Sequence, residues 1–209
     1  MISAQEALDR LRAGNRRFVS GAQGNGLFES QTRRSELVAG QSPFAIILGC
    51  SDSRVPTELI FDQGLGDLFV IRVAGNIVAP SLIGSIEYAA EQFGTQLVVV
   101  LGHSMCGAVL TTLTELEQAV QNRSPNLRSI VERIRPSVEG LLETHVQLDR
   151  DTLVNHAVRA NIRASVNQLR NSSQILEELI QQDGLWVVGA EYFLETGEVD
   201  FFEGVPEID

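Results

Sequence analysis

Two short apolar runs, residues 44–48 and 97–101, each end at a glycine, and neither is interrupted by polar positions. Unbroken apolar runs of that length mark strands covered on both faces, as in parallel sheets. Residues 68–73, apolar except for Arg72, read as a third strand. Helical spacing appears around them. Leu8, Leu11 and Phe18 follow Ser3-x-x-Glu6, which has the form of a capping box, and predict a first helix ended by the glycine-rich stretch 21–26. A second helix is expected over 30–39, with Gly40 past its end. Pro80-Ser81 opens a helix reaching about Phe93. Further helices are expected over 108–120 and, after a loop at 121–126, towards Leu142, with Pro136 as a kink or boundary. Asp149 to Asp151 caps a long helical stretch carrying Leu153, Ala157, Ala160, Ala164, Leu169, Leu176 and Leu179. Asn171-Ser172-Ser173 divides it and Gly184 stops it. Residues 185–188 and 199–202 then read as a hairpin around Glu195-Thr196-Gly197-Glu198. This alternation predicts an α/β fold: a mostly parallel central β-sheet flanked by helices, with an N-terminal helical arm over residues 1–40 and a C-terminal hairpin.

A chain of 209 residues, 44% of them hydrophobic, can bury a substantial core and is read as one domain over 1–209. No apolar run approaches the roughly 20 residues of a membrane helix. The start, Met1-Ile2-Ser3-Ala4-Gln5-Glu6, lacks the charged and apolar regions of a secretory signal, so a cytoplasmic protein with no membrane partner is expected. The net charge of -11 argues against nucleic acid as a partner. Only two cysteines are present, and both lie just past the glycine-ended runs. In a cytoplasmic chain that placement favours metal ligation over a disulfide.

The first run is followed by Cys50-Ser51-Asp52-Ser53-Arg54 and the second by His103-Ser104-Met105-Cys106. If the two runs are neighbouring parallel strands, these residues converge at the carboxyl ends, where open α/β sheets bind ligands. His103-x-x-Cys106 spaces two ligands about one turn apart, and Cys50-x-Asp52 in an extended segment points both side chains the same way. Two thiolates and an imidazole suit zinc, with Asp52 or water at the fourth position. Arg54 can hold Asp52 in a bidentate pair and keep it off the metal as a hydrogen-bond acceptor. His145 and His156 carry no partner signal and read as surface or packing residues. No glycine-rich phosphate motif is present.

Taken in order, Cys50-Ser-Asp52-Ser-Arg54-Val-Pro, Phe69-Val-Ile-Arg72, Ser85-Ile-Glu87-Tyr88 and Gly102-His103-Ser-Met-Cys106-Gly107 resemble the beta-class carbonic anhydrases. The resemblance implies reversible hydration of carbon dioxide to bicarbonate and a proton. It implies one zinc ion per subunit on Cys50, His103 and Cys106, and attack by zinc-bound hydroxide oriented by Asp52 paired with Arg54. Gln41 is similar to the family's amide donor to the substrate oxygen, Phe69 and Tyr88 to its apolar walls, and Gly107 to a position whose backbone lies against the substrate. In the family the first three reach the metal from a neighbouring subunit, which implies a homodimer or homotetramer. Two departures stand out. Val73-Ala74-Gly75-Asn76 replaces the Asn-Val-Ala-Asn of many members, and Ile47 stands where members with an inhibitory bicarbonate pocket carry tryptophan, although Arg72 of that pocket is present. The same zinc centre would also serve a carbon disulfide or carbonyl sulfide hydrolase, or a non-catalytic zinc protein.

Overall fold

The computed structural model of the chain describes residues 2–23, 31–118, 124–144 and 149–206. Five strands form one sheet: β1 (Ala45–Gly49), β2 (Leu68–Arg72), β3 (Leu97–His103), β4 (Trp186–Tyr192) and β5 (Val199–Glu203). Their order is β2-β1-β3-β4-β5. The first four are parallel, and β5 returns antiparallel on β4 to complete the hairpin. All residues of β1 and β3 are buried, as their unbroken apolar runs require.

Alternation along the strands sorts the core into two layers. Ile46, Leu48, Val98, Val100 and Val187 face α4 (Pro80–Phe93), α5 (Gly107–Glu117), α6 (Pro125–Thr144), α7 (Arg150–Asn171) and α8 (Gln174–Gln182). Ala45, Ile47, Leu97, Val99, Leu101, Val188 and Ala190 face α1 (Ala4–Ser20) and α3 (Thr57–Ile60). Each fully buried leucine or isoleucine contributes about 1.5–3 kcal/mol. Leu8 and Leu11 of α1 belong to that second layer, and the capping box of Ser3 and Glu6 starts the helix that carries them. By contrast, α2 (Gln31–Leu37) buries none of its residues.

Local boundaries depart from the periodicity in physically simple ways. The strand expected over 97–101 continues to His103, and that expected over 185–188 continues to Tyr192, because the backbone ladder extends through Gly102↔Glu191 and His103↔Tyr192. Side-chain polarity at Glu191 hides that extension from the pattern. Pro136 neither ends nor divides α6; Ile134 and Val138, both fully buried, hold the helix on either side of the missing hydrogen bond. The one-turn helix α3 is too short to show periodicity. Asn171-Ser172-Ser173 does divide the long stretch, with Ser173 capping α8. Residues 24–30, 119–123 and 145–148, which include the expected helix ends at Ser30 and Val120 and also His145, lie outside the described residues. Among the described residues no helix is long and apolar enough to cross a membrane.

One packing detail bears on the site. Ile162 of α7 lies over two glycines of adjacent strands: a Cβ at Gly102 would come 2.6 Å from its Cδ1 and Cγ1, and one at Gly189 2.7 Å from its Cγ2. The two missing side chains form the notch that seats α7 on the sheet beside His103.

Candidate metal centre

From β1 the chain leaves toward β2, and from β3 it leads eventually to β4 on the other side, so the connections diverge between two adjacent parallel strands. That divergence opens a crevice at the carboxyl ends, the general ligand position of open α/β sheets. Cys50 directly follows β1, His103 ends β3, and Cys106 caps α5. Met105, with φ 56°, makes the turn that returns Cys106 toward His103. The donor atoms of Cys50, His103 and Cys106 lie within 4.8 Å of one another, and all three residues are buried.

Hydrogen bonding fixes which atoms are offered. His103 Nδ1 lies 2.9 Å from the Ser104 carbonyl oxygen. A carbonyl can only accept, so Nδ1 carries a proton, and it is Nε2 that faces the sulfurs as the nitrogen available to a metal. That Nε2 is buried and makes no hydrogen bond. An unsatisfied buried nitrogen beside two buried sulfurs is costly in an apoprotein and is what a soft cation would relieve. A hydrogen bond shared with Cys106, and after it the neighbouring His103 ring and the Gly75 N–H at 3.4 Å, hold the Cys50 thiol well below its usual range against the opposing effect of burial. The same shared bond, together with burial, holds the Cys106 proton on.

Asp52 stands at the rim. Arg54 donates from Nε to Oδ1 at 2.9 Å and from Nη2 to Oδ2 at 2.7 Å, and its backbone N–H reaches Oδ1 at 2.9 Å. The Arg54 side chain is the main reason that Asp52 is held well below the usual carboxylate range. Oδ2 remains 3.9 Å from His103 Nε2. The carboxylate is therefore ionised, adjacent to the donors and oriented by a forked cation.

Two further supports were not apparent from motif spacing. Arg72 ends β2 opposite Gly49, and its guanidinium donates to the carbonyls of Cys50 at 3.0 Å and Asp52 at 2.6 Å. It ties down the loop that carries both side chains. A cation closing an otherwise apolar strand was the available signal. Behind Cys50, a 3-10 turn at Ala74–Asn76 aims the Gly75 N–H at the sulfur. Gly75 takes φ 72°, and a Cβ there would meet Ile134 Cδ1 at 2.8 Å. Asn161 and Ser165 of α7, both buried, hold this turn by donating to the carbonyls of Gly75 at 2.8 Å and Asn76 at 3.1 Å. No short motif links residues so far apart in sequence.

Comparison with known proteins identifies the family. The family model described as carbonic anhydrase matches residues 45–199. A carbonic anhydrase of Mycolicibacterium smegmatis is 40% identical over 192 residues, covering 91% of this chain and 89% of its own. The solved β-carbonic anhydrase CcaA superposes with a TM-score of 0.76 at 28% identity, covering 98% and 95% of the two chains. One of two β-carbonic anhydrases from Sordaria macrospora, described as tetrameric, gives 0.73 at 27% identity, covering 81% and 85%. The chain belongs to the carbonic anhydrase family, beta class.

Within this carbonic anhydrase fold, the side chains similar to the family's substrate pocket lie away from the sulfur and imidazole donors. Gln41 is exposed in the irregular segment before β1, nine residues ahead of Cys50. Phe69 pairs in register with Ile46 near the amino end of β1. Tyr88, 53% exposed on α4, lies 6.3 Å from Phe69 and 5.8 Å, edge-on, from Phe93. β1 alone advances about 13 Å between its ends. The sheet thus separates Gln41 and the aromatic group from this chain's own donors. Gly107, by contrast, adjoins Cys106 as the first residue of α5, with open space where a Cβ would point. His156 is exposed on α7.

Proposed function

We propose that this chain is a zinc carbonic anhydrase, one domain over residues 1–209, that interconverts carbon dioxide and bicarbonate in the cytoplasm as a homodimer or homotetramer. The observation that carries the reading is the buried Cys50–His103–Cys106 cluster, with an unsatisfied Nε2, beside an Asp52 held ionised by Arg54. Cys50, His103 and Cys106 would hold one zinc ion per subunit, a donor set of the soft type zinc prefers. Bound there, zinc would supply Lewis acidity toward water and substrate, as in the three-histidine carbonic anhydrases that are the reference case.

The residues of the chain do the rest. Both oxygens of Asp52 are engaged by Arg54, which favours a role as hydrogen-bond acceptor for the nucleophile over a place as the fourth ligand. Arg72 keeps the Cys50–Asp52 loop from yielding. With that guanidinium committed to two carbonyls and Ile47 in place of tryptophan, the arrangement favours a site without an inhibitory bicarbonate pocket. Gln41 of a second copy donates its amide N–H to a substrate oxygen, Phe69 and Tyr88 of that copy wall an uncharged linear molecule, and the Gly107 backbone lies against it. An N–H donor of this kind steadies the charge that builds on oxygen as carbon is attacked.

Elemental analysis combined with stopped-flow carbon dioxide hydration tests the proposal. Asp52→Ala should keep its zinc and lose most of the rate, and Cys106→Ser should lose the metal. Purified protein free of metal, or zinc-loaded protein that does not hydrate carbon dioxide, would overturn it.

A further inference from the structure

We propose that Ser104 is a positioning residue for His103, acting through the β4–β5 turn; the inference rests on the zinc reading above. A buried imidazole can rotate about its last side-chain bond and offer either nitrogen, so something must hold Nδ1–H on its acceptor. That acceptor is the Ser104 carbonyl, 2.9 Å away.

Ser104 is 4% exposed, and each of its other polar groups is bonded to one short segment. Its backbone N–H donates to the Tyr192 carbonyl at 2.9 Å. Its Oγ accepts from the Leu194 N–H at 3.0 Å and donates to Glu195 Oε2 at 3.1 Å. The turn is itself closed, by Phe193 N–H to the Glu198 carbonyl at 2.9 Å and Gly197 N–H to the Phe193 carbonyl at 2.8 Å. Buried Asn15 of α1 then fixes the turn to the body, with Nδ2 donating to the Gly197 carbonyl and Oδ1 accepting from the Val199 N–H, both at 2.9 Å. A continuous series of hydrogen bonds thus runs from α1 through the β4–β5 turn to Ser104, and from its carbonyl to the ring. With Oγ removed, the Leu194 N–H loses its acceptor, the carbonyl loses a constraint, and the ring is held less firmly in its ligating orientation.

The test is zinc transfer to a chromophoric chelator, after elemental analysis has established the zinc content of the wild type. Ser104→Ala should release zinc about tenfold faster, the scale of changes behind metal-bound histidines. Ser173→Ala, which removes the cap of α8 and a bond to Glu87 far from the metal, serves as the control for general loosening. Wild-type release kinetics in Ser104→Ala overturn the inference. So does equally fast release from the control at a matched loss of thermal stability. If Ser104→Ala does not fold, Glu195→Ala takes its place, since that residue is exposed and its carboxylate accepts from the Ser104 hydroxyl. It should quicken release about threefold, and an unchanged rate would count against the inference. A wild type devoid of zinc instead refutes the zinc reading itself.

Discussion

Replacing Gly102 by alanine tests whether the notch beneath Ile162 is as tight as the packing implies. The added methyl would lie 2.6 Å from Ile162 Cδ1 and Cγ1 and 3.4 Å from Asn76 Oδ1. Carbon atoms prefer separations of about 3.5–4.0 Å, so relief requires Ile162 or α7 to move by roughly 1 Å. Overpacking of this kind costs about 1–3 kcal/mol. Ile162→Ala alone should cost about 2–5 kcal/mol through the cavity it leaves. In the double variant the new methyl enters space that the isoleucine vacated, so the combined loss should fall short of the sum by about 1–2 kcal/mol. Urea unfolding of the four proteins, with chelator present so that bound metal adds nothing, measures this coupling. Losses that add to within about 0.5 kcal/mol, or a Gly102→Ala variant as stable as the wild type, would refute the packing argument.

Other expectations follow from the same contacts. Asn161→Ala leaves the buried Gly75 carbonyl without its partner and should cost about 1–3 kcal/mol; it should also weaken zinc retention, and denaturation together with chelator competition would show if it does neither. Burial is the main cause that holds Glu191 above the usual carboxylate range, against the pull of Arg159 at 3.6 Å. Its contribution to stability is therefore present below about pH 4.3, the value for an unfolded chain, and is lost as pH rises through the higher folded value. Glu191→Gln removes that titration, so its stability relative to wild type should improve from pH 4 to pH 8, and a constant difference in urea midpoint would contradict the assignment. Co-expressing Gln41→Ala chains with Cys106→Ser chains should recover hydration activity that neither has alone, because one site of each hybrid pair then holds both intact groups. No recovery in isolated hybrids would argue that each chain completes its own site.

Much of this architecture was legible because burial on both faces leaves a plain mark. The runs ending at Gly49 and Gly102 showed strands, and the chemistry just past them showed where donors would gather. Ser3 and Asp149 announced helix starts, and Asn171-Ser172-Ser173 a break, because capping and turn preferences are local. What escaped notice is nonlocal or purely backbone in origin. Strand register, which sets Arg72 opposite Gly49, is not written in any one segment. The hold of Asn161 and Ser165 on the turn behind Cys50 spans more than 80 residues of sequence. Ser104 carries no signal of its own between His103 and Cys106, since nothing beside it in sequence names Leu194 or Glu195 as a partner. The continuation of α6 through Pro136 was hidden for a different reason: tertiary packing of Ile134 and Val138 outweighs a local propensity.

The depth of the sheet also governs how damage spreads between copies. If the soft donors sit at one rim while Gln41 and the aromatic group serve a neighbour from the other, every polypeptide owns two halves of different workplaces. A copy damaged at one rim would then impair only one of the two sites it helps to build, and the other stays whole with a sound companion. Mixed populations should accordingly decline more gently than a count of intact chains implies when the lesions fall on opposite rims of different copies, in step with that count when all lie on one rim, and more steeply when a single copy carries both.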